Sequence, residues 1–218
     1  MKNKIISAEE AISFLGAGNT VMVGGFMSCG TPEILMDEIV KKGIKDLHVI
    51  ANDSGVPGRG IGKLIGAKLV KKLTASHIGL NQETGAQMVA GELEVELVPQ
   101  GSLAEKIRAG GAGLGGVLTP TGVGTEVEKG KQKITLDQVE YLIEMPLKAD
   151  VALLRGSIVD KAGNIYYNAT TKNFNPMMAT AAKIVIVAAE KIVEVGELDP
   201  NHVMTPGIFV DYIVGGEV

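Results

Sequence analysis

The residues best suited to chemistry lie in Val21-Met22-Val23-Gly24-Gly25-Phe26-Met27-Ser28-Cys29-Gly30-Thr31-Pro32, an apolar run that enters a glycine-bracketed loop and then a helix start. Glycine at 24, 25 and 30 removes the Cβ atoms that would keep a ligand from the backbone, and it admits positive φ. Thr31 reads as an N-cap with Pro32 at the first helical position, so free N–H groups and the positive helix end face the loop. Such a loop suits an oxyanion, a phosphate or a thioester carbonyl, and a valine at Gly25 is expected to block it. The other reading is a tight strand-to-helix turn that binds nothing.

A second constellation is Val98-Pro99-Gln100-Gly101-Ser102-Leu103-Ala104-Glu105-Lys106-Ile107-Arg108. Ser102 and Glu105 have capping-box spacing, and Pro99-Gln100-Gly101 places a neutral amide at the carboxyl end of a strand, where α/β folds bind ligands. Gln100 could donate a hydrogen bond to a developing oxyanion, or simply bond nearby backbone as a turn residue. Seven glycines fall between Gly110 and Gly124, and residues 111–116 fit GxGxxG. A helix precedes that run and a strand follows it, the reverse of a dinucleotide site. Cys29 could have its pKa lowered by the helix start, but no histidine is near it in sequence, so a small packed residue is the favoured reading. His48, His77 and His202 are isolated and lack metal-ligand spacing, so no metal is implied.

The elements that must position these groups alternate between β-rich apolar runs and helix-period segments, which predicts an α/β fold with a parallel or mixed sheet flanked by helices. A capping box at Ser7 and Glu10 starts a helix over 8–16, followed by a strand at 20–24. The helix after Thr31 should turn Ile34, Leu35, Ile39 and Val40 inward, with Lys41 and Lys42 complementing its dipole before Gly43 ends it. Further strands are expected at 46–51, 73–78 and 93–98, and the second half continues with apolar segments at 115–118, 141–145, 150–155, 183–188 and 207–214. A glycine loop that becomes a helix fills 55–70, and a short helix fills 83–90. Residues 125–140 turn polar and lysine-containing, as a solvated hairpin or excursion would. No linker divides the chain, so one domain over 1–218 is expected, without internal repeats.

Composition removes several function classes. The 218 residues are 45% hydrophobic and only 4% aromatic, with no tryptophan and a net charge of -4. Base-stacking platforms and the basic excess that nucleic acids demand are both missing, so no nucleic-acid partner is expected. No apolar run is long enough to cross a bilayer, so no membrane partner is expected either. The start Met1-Lys2-Asn3-Lys4 leads into no apolar signal segment, and one cysteine allows no internal disulfide, which points to the cytoplasm.

Several blocks in order resemble the α subunit of family I coenzyme A transferases. They begin with Gly18, Val21-Met22-Val23-Gly24-Gly25-Phe26, Gly30 and Pro32, and continue with Pro99-Gln100-Gly101, Leu103, Glu105, Ile107-Arg108, Gly110-Gly111 and Gly113. Thr119-Pro120-Thr121-Gly122, Gly124-Thr125, Ala149-Asp150-Val151-Ala152, Gly163-Asn164 and Thr205-Pro206-Gly207 follow, so the likeness spans essentially the whole chain. Ala17 departs from it, in the turn before the strand, where the family usually has Asp or Asn.

The resemblance implies the family's open three-layer α/β/α fold and an enzyme that moves coenzyme A from an acyl-CoA to a free carboxylate. It implies short acyl groups such as acetoacetate, acetate and butyrate, with 3-oxoadipate or succinyl-CoA:3-oxoacid transfer as the alternative. Residues Gly24, Gly25, Phe26, Met27, Ser28, Cys29 and Gly30 would contact coenzyme A, held only as a substrate, and Gln100 would lie at the shared site. The nucleophilic glutamate would belong to a homologous β subunit, in an α2β2 heterotetramer. Glu126, Glu128, Glu140 and Glu144 read instead as solvated or salt-bridged carboxylates. Arg59, Lys63 and Lys172 are the candidate cations for the coenzyme A phosphates, though each alone reads as a surface charge. A non-catalytic sugar-phosphate sensor of similar architecture remains the reading from a different class.

Overall fold

The computed structural model describes residues 3–215, so Met1, Lys2 and the last three residues of the expected 1–218 domain lie outside the described residues. In chain order the elements are β1 (Ile5–Ile6), α1 (Ala8–Ile12), β2 (Thr20–Val23), α2 (Glu33–Lys42), β3 (Leu47–Ile50), α3 (Ile61–Gly66) and β4 (Val70–Ala75). Next come α4 (Gln82–Val89), β5 (Glu94–Leu97), α5 (Gln100–Ala112), β6 (Val117–Thr119), β7 (Lys133–Leu136) and β8 (Val139–Glu144). The chain continues through β9 (Ala149–Asp160), β10 (Ile165–Tyr166), α6 (Asn175–Met178), β11 (Ala182–Val193) and β12 (Tyr212–Gly215).

Eight strands form a sheet in the order β1-β12-β11-β9-β2-β3-β4-β5, with parallel neighbours throughout, and β10 adds to β9 in antiparallel fashion. Side chains alternate across it, as the period of two requires. Val21 and Val23 face one core with Leu35, Met36, Ile39, Leu64 and Ile65, while Met22 faces the other with Leu103, Ile107, Phe174 and Met178. The sheet is therefore buried on both faces by helices, giving the three layers expected.

The chain runs outward from β2 to β5, then returns to place β9 on the other side of β2, so the order reverses between β2 and β9. Ligands of open α/β sheets bind outside the carboxyl ends of the strands at such a reversal. Strands β6, β8 and β7 form a separate antiparallel sheet, the expected excursion, in which Val117 pairs with Glu144 and Lys133 with Leu142.

Several local expectations change. The first helix stops at Ile12 rather than residue 16, because the Ser13 hydroxyl donates to the Glu10 carbonyl at 2.6 Å and competes with the helical pattern. In α2 the buried stripe is Leu35, Met36 and Ile39, while Val40 faces solvent at 37% exposure. Helix α5 begins at Gln100, not after Ser102, so Ser102 and Glu105 form no capping box: Ser102 is buried within the first turn and Glu105 pairs with Arg108 at 2.5 Å. Gly43 does end α2 in the left-handed conformation (φ 63°), with its N–H on the carbonyls of Ile39 and Val40.

Candidate functional site

Strands β2, β3, β4 and β5 all point their carboxyl ends at one edge, from which Gly24, Ala51, Ser76 and Val98 lead the loops away. The Gly24–Gly30 loop sits at the strand-order reversal. It turns back as a miniature hairpin, with Phe26 and Cys29 exchanging backbone hydrogen bonds of 3.0 and 2.9 Å. Met27 at its tip has φ 58°, uncommon for a residue with a side chain. Helix α2 then starts at Glu33 with Pro32 as its cap residue, and the Thr31 side chain caps nothing.

The amides of this loop are largely engaged by the protein itself. Gly24 N–H donates to Leu153 O at 2.9 Å, Gly25 N–H to Asn173 Oδ1 at 3.1 Å, and Met27 N–H to Asp53 Oδ2 at 2.8 Å. Ser28 and Gly30 amides have no hydrogen bond among the described residues and remain as donors. From below, Asn173 Nδ2 donates to Cys29 O at 3.0 Å, and the buried Asn175 Nδ2 donates to Gly30 O at 3.0 Å. Glycine is needed here for packing: a Cβ at Gly24 would lie 1.9 Å from Asn175 Oδ1, at Gly25 2.1 Å from Thr31 Oγ1, and at Gly30 2.5 Å from Thr171 O. A valine at Gly25 therefore meets the loop's own wall, which changes the expected outcome from blocked binding to a broken loop.

Gln100 stands exposed in the first turn of α5, at the same edge. Its Oε1 lies against the Ser76 hydroxyl at the end of β4 and shares that single proton with Asn52 O, which accepts from the same hydroxyl at 2.8 Å. With the oxygen engaged, the amide nitrogen has no acceptor among the described residues, which is the orientation an oxyanion donor needs. Three buried polar atoms at this edge, Asn52 Oδ1, Ser54 Oγ and Ser102 Oγ, have no partner among the described residues. A buried polar atom left unpaired costs about 1–3 kcal/mol, so each is a place where water or a ligand can bond.

Two carboxylates reach the loops, and both are committed. Asp53 takes Met27 N–H and Gly55 N–H, the latter at 2.7 Å, while Glu33 accepts Gly60 N–H at 2.8 Å and pairs with Lys63 at 2.7 Å. Lys63 also meets Asp37 at 2.6 Å; burial opposes its charge, but the hydrogen bonds to Asp37 and Glu33 outweigh it and raise its pKa. Its charge is thus already answered, whereas Arg59 and Lys172 are exposed and make no ion pair among the described residues. Cys29 is exposed, with Sγ 3.5 Å from Thr170 Oγ1.

Glu126, Glu128, Glu140 and Glu144 all lie on the excursion or at its root. Glu126 pairs with Lys129, Glu128 with Lys133 and Gly124 N–H, and Glu140 with Lys133. Glu144, 1% exposed, lies 3.3 Å from Lys106 and 2.5 Å from Lys131. His48 sits within the sheet, bonded to Thr74 at 2.9 Å; burial, and then Lys72, lower its pKa. Among the described residues no group of three His, Cys, Asp or Glu could hold a metal ion, and no helix is long and apolar enough to cross a membrane.

Asp53, Ser76, Asn173 and Asn175 are absent from the sequence reading. Only Asp53 carries a local signal, since Asp-Ser-Gly after a strand favours the Asx turn it makes to Gly55. The others act across 24 to 148 residues of chain.

A doubly covered parallel sheet, with clamped glycine loops and a free amide at its carboxyl edge, is the arrangement in which open α/β proteins bind ligands at the reversal of strand order. Comparison with known proteins makes the class specific. Residues 5–216 match the family described as "Coenzyme A transferase", and the chain belongs to that family. It is 58% identical over 214 residues to the acetoacetyl-CoA:acetate/butyrate CoA transferase alpha subunit of Clostridium acetobutylicum, covering 98% of both chains. To the acetate CoA-transferase subunit alpha of Escherichia coli K12 it is 51% identical, over 98% of this chain and 97% of that one. Among solved structures, an acyl-CoA transferase of E. coli O157:H7 in a thioester complex with CoA superposes with a TM-score of 0.86 at 23% identity. This chain is covered to 99% there but spans only 47% of that longer one. Glutaconate coenzyme A-transferase from Acidaminococcus fermentans gives 0.85 at 22% identity, with coverage of 98% and 75%. Both share the fold.

Proposed function

We propose that this chain is the α subunit of a short-chain acyl-CoA:carboxylate CoA-transferase of the acetoacetyl-CoA:acetate/butyrate class, one domain over residues 1–218 that works in the cytoplasm with a β subunit as an α2β2 heterotetramer. The alpha-subunit relatives at 58% and 51% identity support the substrate class. The carrying observation for the division of labour is the state of the edge: it offers unengaged donors at Gln100, Ser28 and Gly30, but Asp53 and Glu33, the carboxylates at its loops, are both taken up by amides or a lysine.

In the proposed reaction a glutamate of the β subunit attacks the acyl-CoA carbonyl, expelling the thiolate and leaving an acyl-glutamyl anhydride. The thiolate then attacks the glutamyl carbonyl, releasing the first carboxylate and leaving a glutamyl-CoA thioester. The acceptor carboxylate reverses both steps, which is ping-pong kinetics. Each tetrahedral centre carries an oxyanion, and Gln100, held by Ser76, donates to it. The loop of residues 24–30 lies against coenzyme A, with Arg59 and Lys172 as the cations left for its phosphates.

The purified chain alone is expected to transfer no coenzyme A between acetoacetyl-CoA and acetate or butyrate, and mixing with its β-type partner should start the exchange. Exchange by this chain alone would contradict the reading.

A further inference from the structure

Two loops at the strand edge have the same form. Gly25 to Gly30 and Gly55 to Gly60 each have glycine at both ends, thirty residues apart. Each closes as a tight hairpin, Phe26 against Cys29 and Val56 against Arg59. Their bases are buried and their tips exposed, and they leave neighbouring parallel strands, β2 and β3. They lie side by side: a Cβ added at Gly60 would come within 3.5 Å of Met27 O.

One side chain ties them together. Asp53, 3% exposed, accepts Met27 N–H on Oδ2 at 2.8 Å and Gly55 N–H on Oδ1 at 2.7 Å. It thereby fastens the base of the second loop to the tip residue of the first, at the one position in that loop where a residue with a side chain is held at positive φ. Such a conformation persists only where surrounding bonds hold it. We propose that Asp53 is a positioning residue for the acyl-CoA site, its carboxylate fixing both hairpins as a single rim against which the thioester lies; this rests on the transferase function proposed above. Only an ionised carboxylate accepts on both oxygens without presenting a donor of its own. Asparagine of the same shape turns an NH2 towards one of the two N–H groups and breaks one tie whichever way it faces.

The test uses the complex with the β-type partner, acetoacetyl-CoA as donor and acetate as acceptor. Asp53→Asn is expected to raise KM for acetoacetyl-CoA by about tenfold, as loss of a hydrogen bond to a charged group does, with kcat and melting temperature changed far less. An unchanged KM, whether or not the melting temperature falls, overturns the proposal. Should the variant not fold, amide hydrogen exchange of the parent complex decides: coenzyme A should slow Met27 and Gly55 together, and independent responses would overturn the coupling. A parent complex that moves no coenzyme A sinks the transferase reading instead, while the exchange response to coenzyme A still decides the role of Asp53.

Discussion

The carboxyl-edge rim and the β6-β8-β7 excursion are ordered by different physics. In the rim, buried Asp53 and Asn175, together with Asn173, bond individual amides and carbonyls of the glycine loops at 2.7–3.1 Å, and the Cβ directions of Gly24 and Gly25 are filled by Asn175 and Thr31. The excursion exposes Leu118, Ile134, Leu136 and Val139, and its acids and lysines pair mainly at the surface. Surface pairs contribute about 0–1 kcal/mol each, so it is anchored instead by what it buries, Leu142 and the Glu144 carboxylate between Lys106 and Lys131. Directional bonds to defined atoms can hold a reacting group in place; a flexible network of surface charges cannot. Variants in the rim should therefore change chemistry and loop integrity, and those at the anchor should change stability alone.

The largest expected effect tests how tightly the rim is closed. Gly25→Val adds a branched Cβ at φ 125° where an ideal Cβ already lies 2.1 Å from Thr31 Oγ1. The variant is expected to lose soluble folded protein or the loop's proteolytic resistance, measured by circular dichroism and limited digestion. Native behaviour with only coenzyme A binding lost would mean that the loop is looser than the comparison holds. At the anchor, Glu144→Gln leaves Lys106 and Lys131 without their carboxylate, and removing one partner of a buried pair costs about 3–5 kcal/mol. Urea unfolding should show that loss while activity per folded complex stays at the parental value. A kcat effect larger than the stability effect would erase the contrast between the two regions.

Smaller, but in the chemistry itself, is Gln100→Ala. Loss of one oxyanion donor lowers kcat by about 10²-fold, roughly 2.7 kcal/mol, with little change in KM or melting temperature. Steady-state kinetics of the reconstituted complex measure it, and parental turnover would return Gln100 to the role of a helix-start residue bonded to Ser76.

The same contrast explains what the sequence made legible. Apolar runs marked most strands but not the short β1 and β10 or the exposed β7, and Ser7 and Gly43 marked helix ends because their bonds reach only three or four residues away. The clash-filled glycines and Gln100 were visible as residue types at strand ends. Their partners were not: Asn173 meets Gly25 across 148 residues and Ser76 meets Gln100 across 24, and no local period encodes either. Thr31 and Ser102 looked like caps by spacing, but Thr31 packs over Gly25 and Ser102 turns inward on α5, so tertiary packing overrode both local signals.

The central claim is that this chain shapes the site while the attacking carboxylate comes from its partner. Borohydride reduction of the reconstituted complex after incubation with acetoacetyl-CoA, followed by peptide mass spectrometry, reads this directly, because reduction converts a glutamyl thioester to a stable alcohol. The reduced glutamate is predicted on a β-subunit peptide, with every glutamate of this chain unmodified. A reduced glutamate on this chain, at Glu126, Glu128, Glu140, Glu144 or any other position, would contradict the account.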